Sequence, residues 1–181
     1  MKIYPYLHPV PIVLVGTQNE NGRANFATIG DVAVAGLNPP LLMISLHENH
    51  LSRENIDRTG NFSITVPEIK LLKEVDYCGM VSGRQHDKSD MFDTNWHEDK
   101  IPYVRGVPFV HFCKVLEKVQ VQRRVIYIGE IFDQIIRDDI DRANLNGLGT
   151  ILYGLDNRYY MPGEQIGTGY GEGNKIHQPE A

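Results

Sequence analysis

The chain has 181 residues, of which 41% are hydrophobic and 23% are charged, and its formal net charge is -5. This length suits one folded domain, and the composition is that of a globular protein rather than a disordered one. The acidic balance would repel a polyanion, and no run approaches the roughly 20 apolar residues that a bilayer demands, so we expect neither nucleic acid nor a membrane as a partner.

The first part of the chain predicts strands. Val10–Thr17 is an apolar run, and Asn21-Gly22 favours a tight turn into a return strand that starts near Ala24. Leu41–His47 predicts another strand, directly after the turn signal Asn38-Pro39-Pro40. Three or four strands are therefore expected before residue 50.

Two short helices are predicted next. Ser52 can cap a helix that runs to about Thr59, and Gly60 is placed to end it. Asn61–Val66 returns to a strand. Glu68–Tyr77 has apolar residues at three-residue spacing, which predicts the second helix, and a polar loop is expected after it.

The remaining sequence predicts two long strands and a tail. Val107–Val121 has an imperfect period of two, which is typical of a half-buried strand. Val125–Ile136 is nearly continuous in apolar and β-branched residues, which predicts a partner strand buried on both faces. Many strands with two short helices indicate a mainly β fold, a closed or split barrel. The glycine-rich segment from Gly167 to Gly173 has too little apolar content for a core element, so we expect a loop or a docking tail.

The cysteines and the N-terminus bear on location. Cys78 and Cys113 show neither a disulfide framework nor a paired metal or redox spacing. The N-terminus lacks the charged region and apolar stretch of a secretory signal. We therefore expect a single domain over residues 1–181 in a reducing, cytoplasmic setting.

Three segments carry candidate functional residues. Asn25–Asp31 interrupts a strand with small and polar residues, so a flat ligand could approach its backbone, although a bulged edge strand explains the pattern as well. Ser45–Asn55 leads into a helix N-terminus, where unpaired N–H groups suit a phosphate, although Ser52 could simply be a cap. Asp76–Lys88 contains a permissive glycine loop whose two basic residues, Arg84 and Lys88, suit an anion, although such residues are usually just solvated.

Two other patterns predict no site. His47 and His50 form H-x-x-H with Glu48 between them, but they straddle a strand-to-helix junction rather than one helix face, so we expect no metal there. The G-T-G-Y-G-E-G of the tail follows no clear strand and opens no predicted helix, so it is not a dinucleotide fingerprint.

The order of the three segments resembles the flavin reductase-like FMN-binding family, which includes flavoredoxins. The matching pieces lie between residues 9 and 135, and they are Pro9–Val15, Asn25–Thr28, Pro39-Pro40, Ser52–Ile56, Gly60–Pro67, Cys78–Lys88 and Ile128–Ile131. The resemblance implies an FMN-binding split barrel, usually a homodimer, with the flavin in a groove near the subunit interface.

The resemblance also implies nine cofactor-binding residues. The isoalloxazine ring is expected to face Asn25, Thr28 and the backbone around Ala27 and Ile29. Ser45 and His47 are expected to line the groove. The phosphate is expected to be held by His50, Ser52 and Lys88. The residues themselves support the phosphate end, because a helix N-terminus, a hydroxyl and an ammonium suit a dianion.

Two positions depart from the family pattern. Asp31 stands where many members have an aromatic residue, and a carboxylate near the ring would lower the flavin's reduction potential unless it points away. Arg124 stands where members often have a histidine associated with nicotinamide, which argues against direct oxidation of NAD(P)H.

Three functions stay open on these observations. The chain is an FMN oxidoreductase that takes electrons from NAD(P)H, a non-catalytic FMN carrier that exchanges electrons with redox proteins, or a barrel that has lost flavin and serves as a binding module. Arg124 favours the carrier over the reductase. Because the flavin would carry the redox chemistry, the sequence does not identify the electron acceptor.

Overall fold

In the computed structural model, which describes residues 3–98, 100–145 and 147–174, seven strands form one antiparallel sheet. Its order is β3-β2-β6-β9-β10-β5-β4. The strands are β2 (Val13–Gln18), β3 (Ala24–Ile29), β4 (Val32–Leu37), β5 (Pro40–His47), β6 (Asn61–Val66), β9 (Phe109–Val121) and β10 (Arg124–Ile136). Only Gly30 and Asp31 join the two edge strands β3 and β4, so the edges meet there and the sheet closes as a split barrel.

Two helices and two small sheets surround the barrel. The helices are α1 (Leu51–Thr59) and α2 (Leu72–Met80), and a 3₁₀ turn at Ile69–Leu71 precedes α2. The strands of the small sheets are β1 (Val10–Pro11), β11 (Leu152–Gly154) and β12 (Arg158–Tyr160) in one sheet, and β7 (Thr94–His97) and β8 (Ile101–Val104) in the other. A helical turn, α3 (Gly171–Asn174), lies at the end of the glycine-rich segment, where no helix was predicted.

The main sheet packs on both faces. Its inner face forms one core, whose largest fully buried members include Tyr127, Phe62 and Ile44. Its other face forms a second core around Phe26 and Phe112, covered by α2 and the small sheets. The barrel and its covering layer therefore bury apolar surface on opposite sides of the same strands.

A long ribbon of two strands shapes the barrel. β9 and β10 pair over nearly their whole length, with register shifts at Ile128/Gly129 and at Ile131/Asp133. Such bulges bend a ribbon and increase its twist. A Cβ at Gly129 would lie 2.8 Å from the Phe62 ring, so a glycine lets the two strands approach at the bend.

Most predicted elements are confirmed, and several details differ. The N-cap of α1 is His50, without a side-chain cap hydrogen bond, whereas Ser52 lies buried inside the helix, so the predicted Ser52 cap is wrong. β10 alternates in burial and its second half is largely exposed, so it is not buried on both faces. Five strands were not singled out, β4, β7, β8, β11 and β12. Small residues dilute β4, a polar loop was expected at β7, and the other three have only three or four residues each.

The tail contacts little of the described chain. Ile166 and Tyr170 are almost fully exposed, and the expected docking surface is not found within the residues that the structure describes. No helix in that part of the chain is long and apolar enough to span a bilayer. Cys78 and Cys113 are free and buried.

Candidate functional site

A groove of about 790 Å³ lies beside the split of the barrel. Its walls beside the split include Thr28 of β3 and Gly30 of the link from β3 to β4. They also include Ala33 of β4 and Met43 and Ser45 of β5. β3 is paired on one side only, because it ends the sheet. Cavities of about 300–1,000 Å³ hold most small organic ligands, so this larger groove has room for a flat ring system against a free strand edge.

A smaller pocket of about 240 Å³ continues from the larger groove. Thr28, Gly79 and Met80 line both cavities, so one ligand could occupy the two together. The start of α1 forms one wall of the smaller pocket, and the loop that follows α2 forms another. The Thr28 hydroxyl donates to the Val75 carbonyl and so ties α2 to β3 at the junction.

Lys88 is a buried cation in the smaller pocket. The residue is only 4% exposed. Its Nζ donates hydrogen bonds to the carbonyl oxygens of Phe26 at 3.1 Å and Cys78 at 2.8 Å. Desolvation by burial lowers the pKa of Lys88. An ammonium has three N–H donors, so Lys88 has one left for a ligand. No carboxylate in the described part of the chain forms an ion pair with the Lys88 ammonium. The pocket therefore has an uncompensated positive charge, which an anion would stabilise.

A buried polar network fixes the start of α1 next to Lys88. Asn25 Nδ2 donates to Ser52 Oγ at 2.9 Å and to Thr17 Oγ1 at 3.3 Å. Asn55 Nδ2 donates to the same Thr17 hydroxyl at 3.0 Å. Because Ser52 Oγ accepts from Asn25, its own proton remains available to a ligand. The first N–H groups of α1 lack intrahelical partners, so the pocket combines donors and positive charge.

His50 adds a second titratable group to this pocket. Burial is the main cause that lowers the pKa of His50, and the charges of Arg124, His47 and Lys88 lower it further. The imidazole is therefore neutral at neutral pH. It contributes a hydrogen-bonding group rather than another charge beside Lys88.

Asp31 and Arg124 form an ion pair on the wall of the larger groove. The Arg124 guanidinium also donates from Nε to Ser45 Oγ at 3.1 Å and from Nη2 to the Ser45 carbonyl at 2.7 Å. The side chains are 64% and 38% exposed, so solvent screens the pair. The carboxylate thus lies at the groove, with much of its charge offset by Arg124.

The structure brings together most of the predicted site residues. The six that line the smaller pocket are Asn25, Ala27, Thr28, His50, Ser52 and Lys88, and Ser45 lines the larger groove with Thr28. Ile29 is a core residue, so only its backbone can reach a ligand. His47 lines neither cavity, and its Nδ1 accepts from the Asn49 N–H at 3.2 Å. The roles of these residues toward a cofactor remain predictions.

Sequence reasoning missed much of the rest of the site. Gly79, Met80 and the loop residues up to Gly83 line the smaller pocket, and they lie in the segment from Asp76 to Lys88 that was marked as an anion loop but were not named as site residues. Asp76 of the same segment lines the larger groove together with Tyr153 and Tyr159. No local pattern identifies the two tyrosines, because the β11–β12 hairpin brings them to α2 from far along the chain.

Comparisons with known proteins agree with this architecture. The family model described as "Flavin reductase like domain" matches residues 6–160. The chain is similar to a flavoredoxin from Methanosarcina acetivorans, with 27% identity, a TM-score of 0.91, and coverage of 97% of this chain and 98% of that one. An uncharacterized protein of Archaeoglobus fulgidus is 26% identical over 134 residues, which are 72% of this chain and 75% of the relative.

Two further solved structures share the fold. One is a flavoredoxin of Desulfovibrio vulgaris (Miyazaki F), with 24% identity, a TM-score of 0.84, and coverage of 96% of this chain and 100% of that one. The other is an FMN-binding protein from Thermus thermophilus with bound p-hydroxybenzaldehyde, with 20% identity, a TM-score of 0.81, and coverage of 93% and 99%.

Proposed function

The chain belongs to the flavin reductase-like family, and on that premise we propose that it is a flavoprotein that binds FMN non-covalently for electron transfer or flavin-dependent reduction. One observation carries the proposal. Lys88 is a buried ammonium with no ion-pair partner in the described chain, and it lies in a pocket that continues into a larger groove beside a free strand edge. A ligand that has both an anionic end and a flat ring fits that pair of cavities.

The smaller pocket suits the phosphate of FMN. Lys88 would supply the charge, the Ser52 hydroxyl a neutral donor, and the start of α1 its free N–H groups. His50, neutral because its pKa is lowered, would add a hydrogen bond. The Asn25 amide orients Ser52, so it acts on the ligand through the hydroxyl.

The larger groove suits the ring. Thr28 and the backbone of β3 would lie along it, and Ser45 with Arg124 would form the opposite wall. When bound, FMN supplies one- and two-electron redox chemistry. The residues of the chain orient the cofactor, and the Asp31–Arg124 pair sets the local charge at the groove.

A second copy of the chain is part of the proposal. Directly paired residues share a face of the sheet, and the face opposite the barrel core includes Met43, Ile128, Ile126 and Val119. Val119 is 47% exposed, and the same face meets the larger groove at Met43 and Ser45. A homodimer that covers this apolar face would also close the groove over the ring.

The electron donor distinguishes an enzyme from a carrier. Arg124 favours the carrier, because the family resemblance implies a histidine associated with nicotinamide at that position. FMN-loaded protein is mixed anaerobically with NADH or NADPH while the visible flavin absorbance is followed. Bleaching within seconds by either nucleotide identifies a reductase. Bleaching only by a reduced redox protein identifies a carrier, and a purified protein that takes up no flavin would overturn the proposal.

A further inference from the structure

The larger groove is also lined by residues that are not assigned to the flavin. They are Asp76 of α2 and Tyr153, Leu155, Asn157 and Tyr159 of the β11–β12 hairpin. Asp76 lies about one helical turn from Gly79 and Met80, where the two cavities meet, so this wall is next to the proposed cofactor site. It therefore offers side chains to a second ligand beside the cofactor.

Asp76 is a carboxylate without a cationic partner. The Tyr159 hydroxyl donates to Asp76 Oδ1 at 2.6 Å, and no lysine or arginine in the described ranges forms an ion pair with this carboxylate. Burial raises the pKa of Tyr159 most, and the hydrogen bond to Asp76, the Asp76 charge and Tyr153 raise it further, so the phenol stays protonated. The phenol thus holds the carboxylate in place without neutralising it.

Two tyrosine rings lie beside this carboxylate. The rings of Tyr153 and Tyr159 have centroids 5.3 Å apart and are tilted by 58°. The Tyr153 hydroxyl donates to Asn157 Oδ1 at 2.8 Å, so both phenols have partners. Aromatic rings next to an anion are the arrangement that recognises organic ammonium and pyridinium groups.

The charge of the whole groove favours the same class of ligand. Its charged lining residues, in the part of the chain described, are Asp31, Asp76 and Arg124. Arg124 is already paired with Asp31, so the Asp76 charge remains in excess. A negative cavity with apolar walls concentrates cations and repels anions.

We propose that Asp76, Tyr153 and Tyr159 form a subsite in the larger groove, next to the flavin, for an organic cation, an alkylammonium or N-alkylpyridinium group. Cation binding follows from these three residues alone, whereas a role of the cation as a substrate of the flavin rests on the proposed function. Asp76 is then a specificity-determining residue. It excludes electron acceptors that would place a carboxylate or phosphate next to its own carboxylate.

The test compares choline with its uncharged isostere 3,3-dimethyl-1-butanol, using calorimetric titration of FMN-saturated protein at fixed ionic strength. Choline is expected to bind about 10-fold more tightly than the alcohol, because the unpaired Asp76 carboxylate attracts its charge, and about 1.4 kcal/mol of such attraction corresponds to a tenfold change in affinity. Asp76→Asn should remove this discrimination. Its amide oxygen can still accept from Tyr159, so the hairpin remains anchored.

Asp156→Asn is the matched control. Asp156 accepts from the Tyr160 hydroxyl at 2.7 Å on the same hairpin, but it does not line the groove, so its variant should discriminate as the unchanged protein does. Equal binding of choline and the alcohol, or discrimination that survives Asp76→Asn, overturns the subsite. Choline binding by a protein that takes up no FMN would contradict the proposed function alone, whereas FMN binding without discrimination would contradict the subsite alone.

Discussion

Lys88 is the residue on which the phosphate assignment depends. Lys88→Ala removes the buried ammonium, and a hydrogen bond to a charged group contributes about 1.5–3 kcal/mol. FMN should therefore bind roughly 10- to 100-fold more weakly, since about 1.4 kcal/mol is a tenfold change. Riboflavin, which lacks the phosphate, should be almost unaffected. Fluorescence quenching titrations measure the affinity of each flavin, and Lys73→Ala, at an exposed lysine, is the control. An equal loss of affinity for both flavins would falsify the assignment.

The same lysine predicts a pH dependence. Desolvation lowers the pKa of Lys88 below its ordinary 10.5, and only the charged form attracts a phosphate. FMN affinity should fall as pH rises through that lowered pKa, whereas riboflavin affinity should not follow it. The stability of flavin-free protein should change in the opposite direction. Burial of the neutral Lys88 amine costs little above pH 10.5, whereas burial of the charged form destabilises the fold as pH falls through the lowered pKa. Flavin titrations over a pH series check the first direction, and chemical denaturation of flavin-free protein over the same series checks the second.

Asp31 is expected to influence the flavin's reduction potential. Asp31→Asn removes the carboxylate and leaves the Arg124 charge unpaired beside the groove, so the potential should rise. The rise should be roughly 5–20 mV, because an exposed ion pair contributes at most about 1 kcal/mol and 30 mV corresponds to about 1.4 kcal/mol for a two-electron couple. Dye-equilibration titration measures it. Arg124→Gln should shift the potential downward, and no change in either variant means that the pair lies away from the ring.

Sequence patterns identified individual site residues better than their contacts. Asn25, Ser52 and Lys88 were marked because they belong to segments with local signals, a broken strand, a helix start and a glycine loop. The sequence did not predict that the Asn25 amide binds Ser52 from 27 positions away. That contact depends on how β3 and α1 pack against each other. Because of it, Ser52 is a buried hydrogen-bond acceptor rather than a helix cap.

At the scale of elements, the loop after α2 must approach β3 closely. A Cβ at Gly83 would fall on Asn25 Oδ1 and lie 3.2 Å from a Leu51 methyl group, so Gly83→Ala should push the loop away from the smaller pocket. Overpacking of this kind costs about 1–3 kcal/mol in the free energy of unfolding. FMN affinity should fall as well. Gly163→Ala has no atom near its added Cβ and is the control in both chemical denaturation and flavin titration.

The elements that could be predicted are those with a clear period. Alternating or continuous apolar runs identified β2, β9 and β10, whereas β4 escaped because Val32–Leu37 contains alanines and a glycine in place of larger side chains. The wrong expectation that β10 is buried on both faces has a physical reason. Its outer residues, such as Ile126 and Ile128, are apolar on the face proposed to meet a second copy.

At the scale of the whole molecule, the apolar sheet face predicts a homodimer. Val119→Lys places a charge on that face, so the protein should become a monomer and its FMN affinity should fall because the groove loses its cover. Light scattering should give twice the 20.5 kDa chain mass before the change and once that mass after it. Ile69→Lys, at 49% exposure on another surface, should leave the dimer intact. A monomer that holds FMN tightly would contradict the shared groove.

The contact between Tyr159 and Asp76 in the larger groove could not have been predicted from the sequence. Tyr159 reaches Asp76 across 83 positions, and only the pairing of β11 with β1 and β12 brings it there. Long-range closure of this kind leaves no local pattern, unlike the helix start and glycine loop of the smaller pocket.

The most direct test of a cofactor site that spans both cavities is titration of flavin-free protein with FMN and with riboflavin under the same conditions. Tight, saturable FMN binding with much weaker riboflavin binding is the expected result, because only FMN fills the larger groove and neutralises the buried Lys88 in the smaller pocket. Equal affinity for the two flavins, or no binding of either, would contradict the account.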